Sequence, residues 1–146
     1  MYRVVDVANY IINYSHEIGG SLTNLKLQKI LYYVDAAFLV DTGSACFYED
    51  FEHWRHGPVV PEIYSKYRKY LNSPIEEQQE DSNISNEDRE IINRVIEGNI
   101  KKDPWELVKR THEEDPWVNT TTNEIITKNS IKQFFMDNNI NRIYGE

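Results

Sequence analysis

The sequence predicts a mainly α-helical fold: a single compact helical domain of about six helices, with a short extended or β segment before a Gly-Pro turn. Three observations lead there. Apolar residues recur at three- and four-residue spacing through most of the chain, and helix-capping residues or Pro and Gly punctuate those stretches. One aromatic-rich stretch, 44–58, lacks the helical period and stops at Gly57-Pro58.

Each element follows from local chemistry. Asp6 is expected to cap a first helix in which Val7, Ile11, Tyr14 and Ile18 share a face, with Gly19-Gly20 as its stop. A second helix starts near Thr23 and ends at Gly43. It carries Leu27, Ile30, Leu31, Val34 and Phe38 on one face, while Tyr32, Tyr33, Ala36, Ala37 and Leu39 widen its apolar surface enough to make it central. Pro61 suits the first turn of a third helix, because its missing N–H would be unpaired there anyway, and Ile63, Tyr64, Tyr67, Tyr70 and Leu71 line one side. Asn72-Ser73-Pro74 ends it, and an acidic solvated loop near 73–84 follows.

Ser85 and Asp88 form a weak capping box for a fourth helix, whose buried side is Ile91, Ile92, Val95 and Ile96 before Gly98. Asp103, Pro104 and Glu106 announce a fifth, with Trp105 and Val108 on one side and an end near Asp115, since Pro116 disfavours helix just before it. Ile131, Phe134 and Phe135 mark a short sixth beyond the polar loop 119–124. No internal repeat or heptad array is present. Neither half of the chain is large enough to fold well alone, so residues 1–146 are read as one domain.

Composition narrows the function. Acidic residues outnumber basic ones 24 to 16, for a net charge of −8, which repels a phosphate backbone; a basic protein partner is the better expectation. A mean hydropathy of −0.66 and the lack of a long apolar run point to a cytoplasmic protein without membrane insertion. The lone Cys46 cannot form an internal disulfide and is expected to be buried.

Candidate chemistry is sparse. His53, His56 and Cys46 lack the paired spacing of a zinc site, and His112-Glu113-Glu114 lacks the second histidine of a zinc-protease helix, where Pro116 stands instead. Gly19-Gly20 lacks the Gly-Lys-Ser/Thr ending of a phosphate loop. No catalytic, metal or cofactor residues are therefore assigned, and no enzyme activity is expected. The first two helices also outline a helix-turn-helix DNA reader with Lys26, Gln28 and Lys29 as groove contacts, but the acidity and the apolar second helix disfavour nucleic acid. Ten tyrosines and three tryptophans remain, residue types suited to protein interfaces as well as cores.

Two blocks in order carry a resemblance. Lys26-Leu27-Gln28-Lys29 with Leu31-Tyr32-Tyr33 is followed some twenty residues on by Trp54 and Gly57-Pro58-Val59-Val60-Pro61, and LVKRTHEEDPW, ending at Trp117, comes later. Together they resemble the Panacea domain family of SocA-like, phage-associated GepA-type proteins, from the first helix to about Phe135. The resemblance implies a mainly helical antitoxin, encoded by bacteria, phages or prophages, that neutralises a protein toxin from an adjacent gene by direct contact. The alternatives are an adaptor that delivers the toxin to a protease, or a DNA-binding regulator. Self-association is left open.

Within the motif, Leu27, Leu31, Tyr32, Trp54, Gly57, Pro58, Pro61 and Trp117 are expected to hold the fold, with Trp54 packed under a stiff corner that aims the third helix. Lys26, Gln28, Lys29, Tyr64 and Tyr67 are the expected partner contacts. The polar ones could instead satisfy backbone groups inside the molecule.

Overall fold

At the centre lies a helix with almost no solvent face. The computed structural model describes residues 1–146, and in it α2 (Asn24–Thr42) has 15 of its 19 residues buried. It is apolar nearly all round, as the widened surface from Leu27 to Leu39 requires. Thr23 caps it by accepting from Lys26 N–H, and Gly43 ends it in the left-handed conformation (φ 80°).

The other elements wrap this axis. They are α1 (Val4–Glu17), α3 (Pro61–Tyr67), α4 (Asn86–Asn99), α5 (Pro104–His112), α6 (Asp115–Val118), α7 (Lys128–Met136) and α8 (Ile140–Ile143), with a 3-10 turn at Arg68–Tyr70. The helices α1, α3, α4, α5, α7 and α8 all pack on α2. One contiguous core of 33 buried residues results, drawing Val7 and Ile11 from α1, Ile92 and Val95 from α4, Leu107 from α5, and Ile131 and Phe135 from α7. No helix is long and apolar enough to cross a membrane.

The extended segment is a hairpin, β1 (Phe51–Trp54) against β2 (Gly57–Val59), and β3 (Ile125–Ile126) adds to the far side of β1. The domain is thus mainly α, but it has eight helices instead of about six and a small three-stranded antiparallel sheet, so it is not purely helical. The two helices beyond the expected count, α6 and α8, are single turns of four residues, too short to show a periodic pattern.

Other boundaries differ for specific reasons. Asp6 does not cap α1; Arg3 holds the cap position, and Asp6 sits in the first turn, paired with the Arg3 guanidinium at 3.0 Å. Gly98 does not stop α4, which runs through it to Asn99. The missing side chain lets the C-terminal backbone pass, since a Cβ at Gly98 would overlap the Tyr144 carbonyl oxygen. Helix α5 ends at His112, and its inner face is Leu107, Val108 and Thr111, which leaves Trp105 outside. The acidic loop is clasped as well as solvated: Ile75 and Ile84 are buried, and Gln79 and Asn13 exchange two hydrogen bonds that fix the loop to α1.

Candidate functional site

The corner between β1 and α3 is built on a two-residue turn, Arg55-His56, closed by the Trp54–Gly57 pair. Gly57 has φ 113°, which disfavours any L side chain. A Cβ there would also lie 2.7 Å from both Lys29 Cε and Thr111 Oγ1. Glycine is thus required twice, by the turn and by the close approach of α2 and α5.

The polar residues of α2 brace this corner from within. Lys29 Nζ donates to Pro58 O at 3.0 Å, and Gln28 Oε1 accepts from Val60 N–H at 2.9 Å. Gln28 Nε2 donates to Asn24 Oδ1, whose own amide donates to Tyr64 O at 3.1 Å, so α2 is tied to both ends of the bend. Lys26 reaches the other way and donates to Ile100 O at 2.7 Å, at the C-terminal end of α4, where a cation also meets the negative end of the helix dipole.

These contacts settle where the expected partner residues sit. Lys26, Gln28 and Lys29 are buried, with Gln28 and Lys29 wholly so. Tyr67 is buried too, its hydroxyl donating to Gln79 Oε1 at 3.0 Å. Lys26, Gln28 and Lys29 bond to backbone groups inside the molecule and Tyr67 to a side chain, and the DNA reading loses its groove contacts. Burial lowers the Lys29 pKa to about 7, and it also raises the thiol pKa of buried Cys46. Only Tyr64 of the five reaches the surface, half-buried, with its ring 5.1 Å from that of Trp54.

The histidines serve packing. Trp117 lies stacked between His53 and His112, with ring centroids 4.0 and 4.1 Å away, and donates its indole N–H to Trp54 O. His53 Nδ1 donates to Trp117 O at 2.7 Å and His112 Nε2 to Arg55 O at 3.0 Å, which fixes one tautomer of each ring. No group of three His, Cys, Asp or Glu side chains is placed to hold a metal. Of the expected structural residues, Leu27, Leu31, Tyr32, Gly57 and Pro58 are buried, Trp54, Pro61 and Trp117 are half-buried, and Pro61 occupies the first turn of α3.

What the corner presents outward is a groove of about 540 Å³ between the Trp54–Tyr64 pair, the 3-10 turn after α3 and the start of α5. Its apolar rim is Leu71, 77% exposed, and Trp105, 57% exposed, with the His56 ring edge-on against Trp105. Arg55 and Arg68 flank it. The sequence places Leu71 on one side of the third helix and Trp105 beside Val108 on the fifth, and nothing in its pattern marks either arginine. The usable signal for Trp105 was its place next to Pro104, in the first turn of a short helix whose inner stripe is already filled by Leu107, Val108 and Thr111.

Comparison with known proteins adds the family. Residues 27–118 match the model of the family described as Antitoxin SocA-like, Panacea domain, a span that contains α2 from Leu27 onward, the hairpin corner, α3, α4, α5 and α6. Antitoxin SocA of Caulobacter vibrioides is 40% identical over 58 residues, which are 40% of this chain and 31% of that relative. The match thus spans about a third of the relative's length. No solved structure matches the chain. The chain belongs to the SocA-like Panacea domain family.

Proposed function

From that membership we propose that the chain is the antitoxin of a toxin–antitoxin pair and works without catalysis, by binding a protein toxin encoded by an adjacent gene in the cytoplasm. The observation that carries this reading is the family match over residues 27–118, which takes in the corner and most of the outward groove beside it. The corner's chemistry supports it as well. The histidines and buried lysine of the motif are engaged in stacking and in bonds to backbone carbonyls, while large apolar and basic side chains face solvent next to them. Exposed tryptophan, tyrosine and arginine around a concave surface are the side chains that carry most of the energy in protein contacts.

The test is growth of cells expressing the neighbouring gene alone and together with this chain, followed by co-purification of the pair. Toxicity relieved with a stable complex is the expected result. Toxicity that persists in the presence of the chain overturns the reading. Relief without a complex, lost in a protease-deficient host, replaces direct binding with delivery for degradation.

A further inference from the structure

The groove beside the corner has a charge of its own. The chain carries −8 overall, yet the groove's lining includes Arg55 and Arg68 and no carboxylate, and neither arginine is in an ion pair. Glu52, which accepts from Trp54 Nε1 at 3.0 Å, is not among the lining residues. A basic patch in an acidic molecule selects acidic ligands and turns away basic ones.

Its apolar edge is held in an unfavourable state. Leu71 has φ 53° and ψ −123°, a conformation that a residue with a Cβ rarely adopts, and its side chain is 77% exposed. Glycine would relieve the backbone, and a polar residue would suit the exposure. Leucine there answers neither need, but it adds apolar surface to the groove that Trp105 also lines. The groove, about 540 Å³ and lined by Trp54, Tyr64, Leu71 and Trp105 among others, has room for one or two side chains.

We infer that this groove receives an acidic segment of the protein partner carrying one bulky apolar side chain, the apolar group entering between Trp54, Leu71 and Trp105 and carboxylates pairing with Arg55 and Arg68. Guanidinium groups grip carboxylates through two parallel hydrogen bonds, so the flanking charges fix register while the apolar anchor supplies desolvation. The inference rests on the antitoxin reading and specifies the chemistry of its partner. It also reverses the expectation of a basic partner drawn from net charge, because the local surface, and not the sum, meets the ligand.

Three short fluorescein-labelled peptides test it by anisotropy with the purified full chain: a Leu-Phe centre flanked by Asp and Glu, the same centre flanked by Lys, and a Ser-Ser centre with acidic flanks. The first is expected to bind, the other two about tenfold or more weakly, and added salt should weaken the first. The doubly substituted R55E/R68E chain, checked for an unchanged thermal melt, should prefer the lysine-flanked peptide, and Leu71→Ser should narrow the gap between the leucine and serine centres. Equal binding of acidic and basic peptides, no binding of any, or indifference to R55E/R68E overturns the inference. Growth rescue separates the two readings. If the wild-type chain rescues and R55E/R68E rescues equally, the groove is not the contact while the antitoxin reading stands; if the wild-type chain does not rescue, the antitoxin reading falls and the peptides still decide the groove.

Discussion

Lys29 is a cation folded into a place without water, and its single hydrogen bond to Pro58 O does not replace a hydration shell. Its pKa accordingly falls from 10.5 to about 7. Between those values the unfolded chain holds one more proton than the folded one, so this group's contribution to stability rises with pH across that window and is lost as pH falls toward 7. The tyrosines and Cys46, whose pKa values burial raises, act in the opposite sense at alkaline pH. A difference against Lys29→Met cancels them. Urea unfolding from pH 8 to 9.5 should therefore show the wild type gaining on Lys29→Met by about 1 kcal/mol per pH unit; parallel curves would mean that Lys29 keeps its charge in the fold. At Gly57 the cost is steric. Gly57→Ala should lower stability by about 2–3 kcal/mol, because φ 113° and the contact with Lys29 Cε are both violated. A thermal melt within a degree of wild type would contradict this.

At the scale of elements, what was legible in the sequence is what the chain decides locally. Thr23, Ser85 and Asp103 cap their helices through their own side chains, and Pro61 and Pro104 stand in first turns, so α2, α3, α4 and α5 start where expected. The hairpin was foreseen as an extended segment, but the partners of its polar neighbours were not, because Gln28 and Lys29 bond to residues about thirty positions away. The same distance in sequence hid α8, which is held by an ion pair with no local signature. Arg142 Nε donates to Glu114 Oε2 at 2.8 Å, and Tyr33 donates to the same oxygen at 2.9 Å. Burial nevertheless raises the Glu114 pKa to about 6, so near neutrality its charge depends on these partners. Removing one partner leaves the other uncompensated, which costs more than removing both. Since Arg142 is partly exposed, Arg142→Ala should cost about 2 kcal/mol in urea unfolding. The double variant E114Q/R142A should recover part of that loss, and additive losses would show that the pair is not coupled.

The whole molecule sets a limit that no single element shows. The family match covers residues 27–118, which include the corner and all of the groove's lining but Asn24 and Leu25, yet the core those residues need is completed from outside the span. Val4, Val7, Ile11 and Ile12 of α1 and Ile131 and Phe135 of α7 are wholly buried, and Tyr32 and Tyr33 meet Phe135 edge to face at centroid distances of 5.9 and 6.0 Å. Without those partners the central helix would expose apolar surface along its length. Burying each large apolar side chain contributes about 1.5–3 kcal/mol, so losing six or more removes an amount comparable to the whole stability of about 5–15 kcal/mol typical of a domain. The two ends are also stitched to the middle: Tyr2 OH donates to Asp88, and Arg110 donates to the carbonyls of Arg142 and Glu146. The segment 27–118 expressed alone is thus expected to melt without a cooperative transition, with dispersed amide signals absent from its NMR spectrum, while residues 1–146 unfold in one step. A cooperative melt from 27–118 would mean that the groove belongs to a self-sufficient subdomain. A non-cooperative one makes the groove a product of the whole chain, since α2, which carries the braces of the corner, stays ordered only when α1 and α7 close over it.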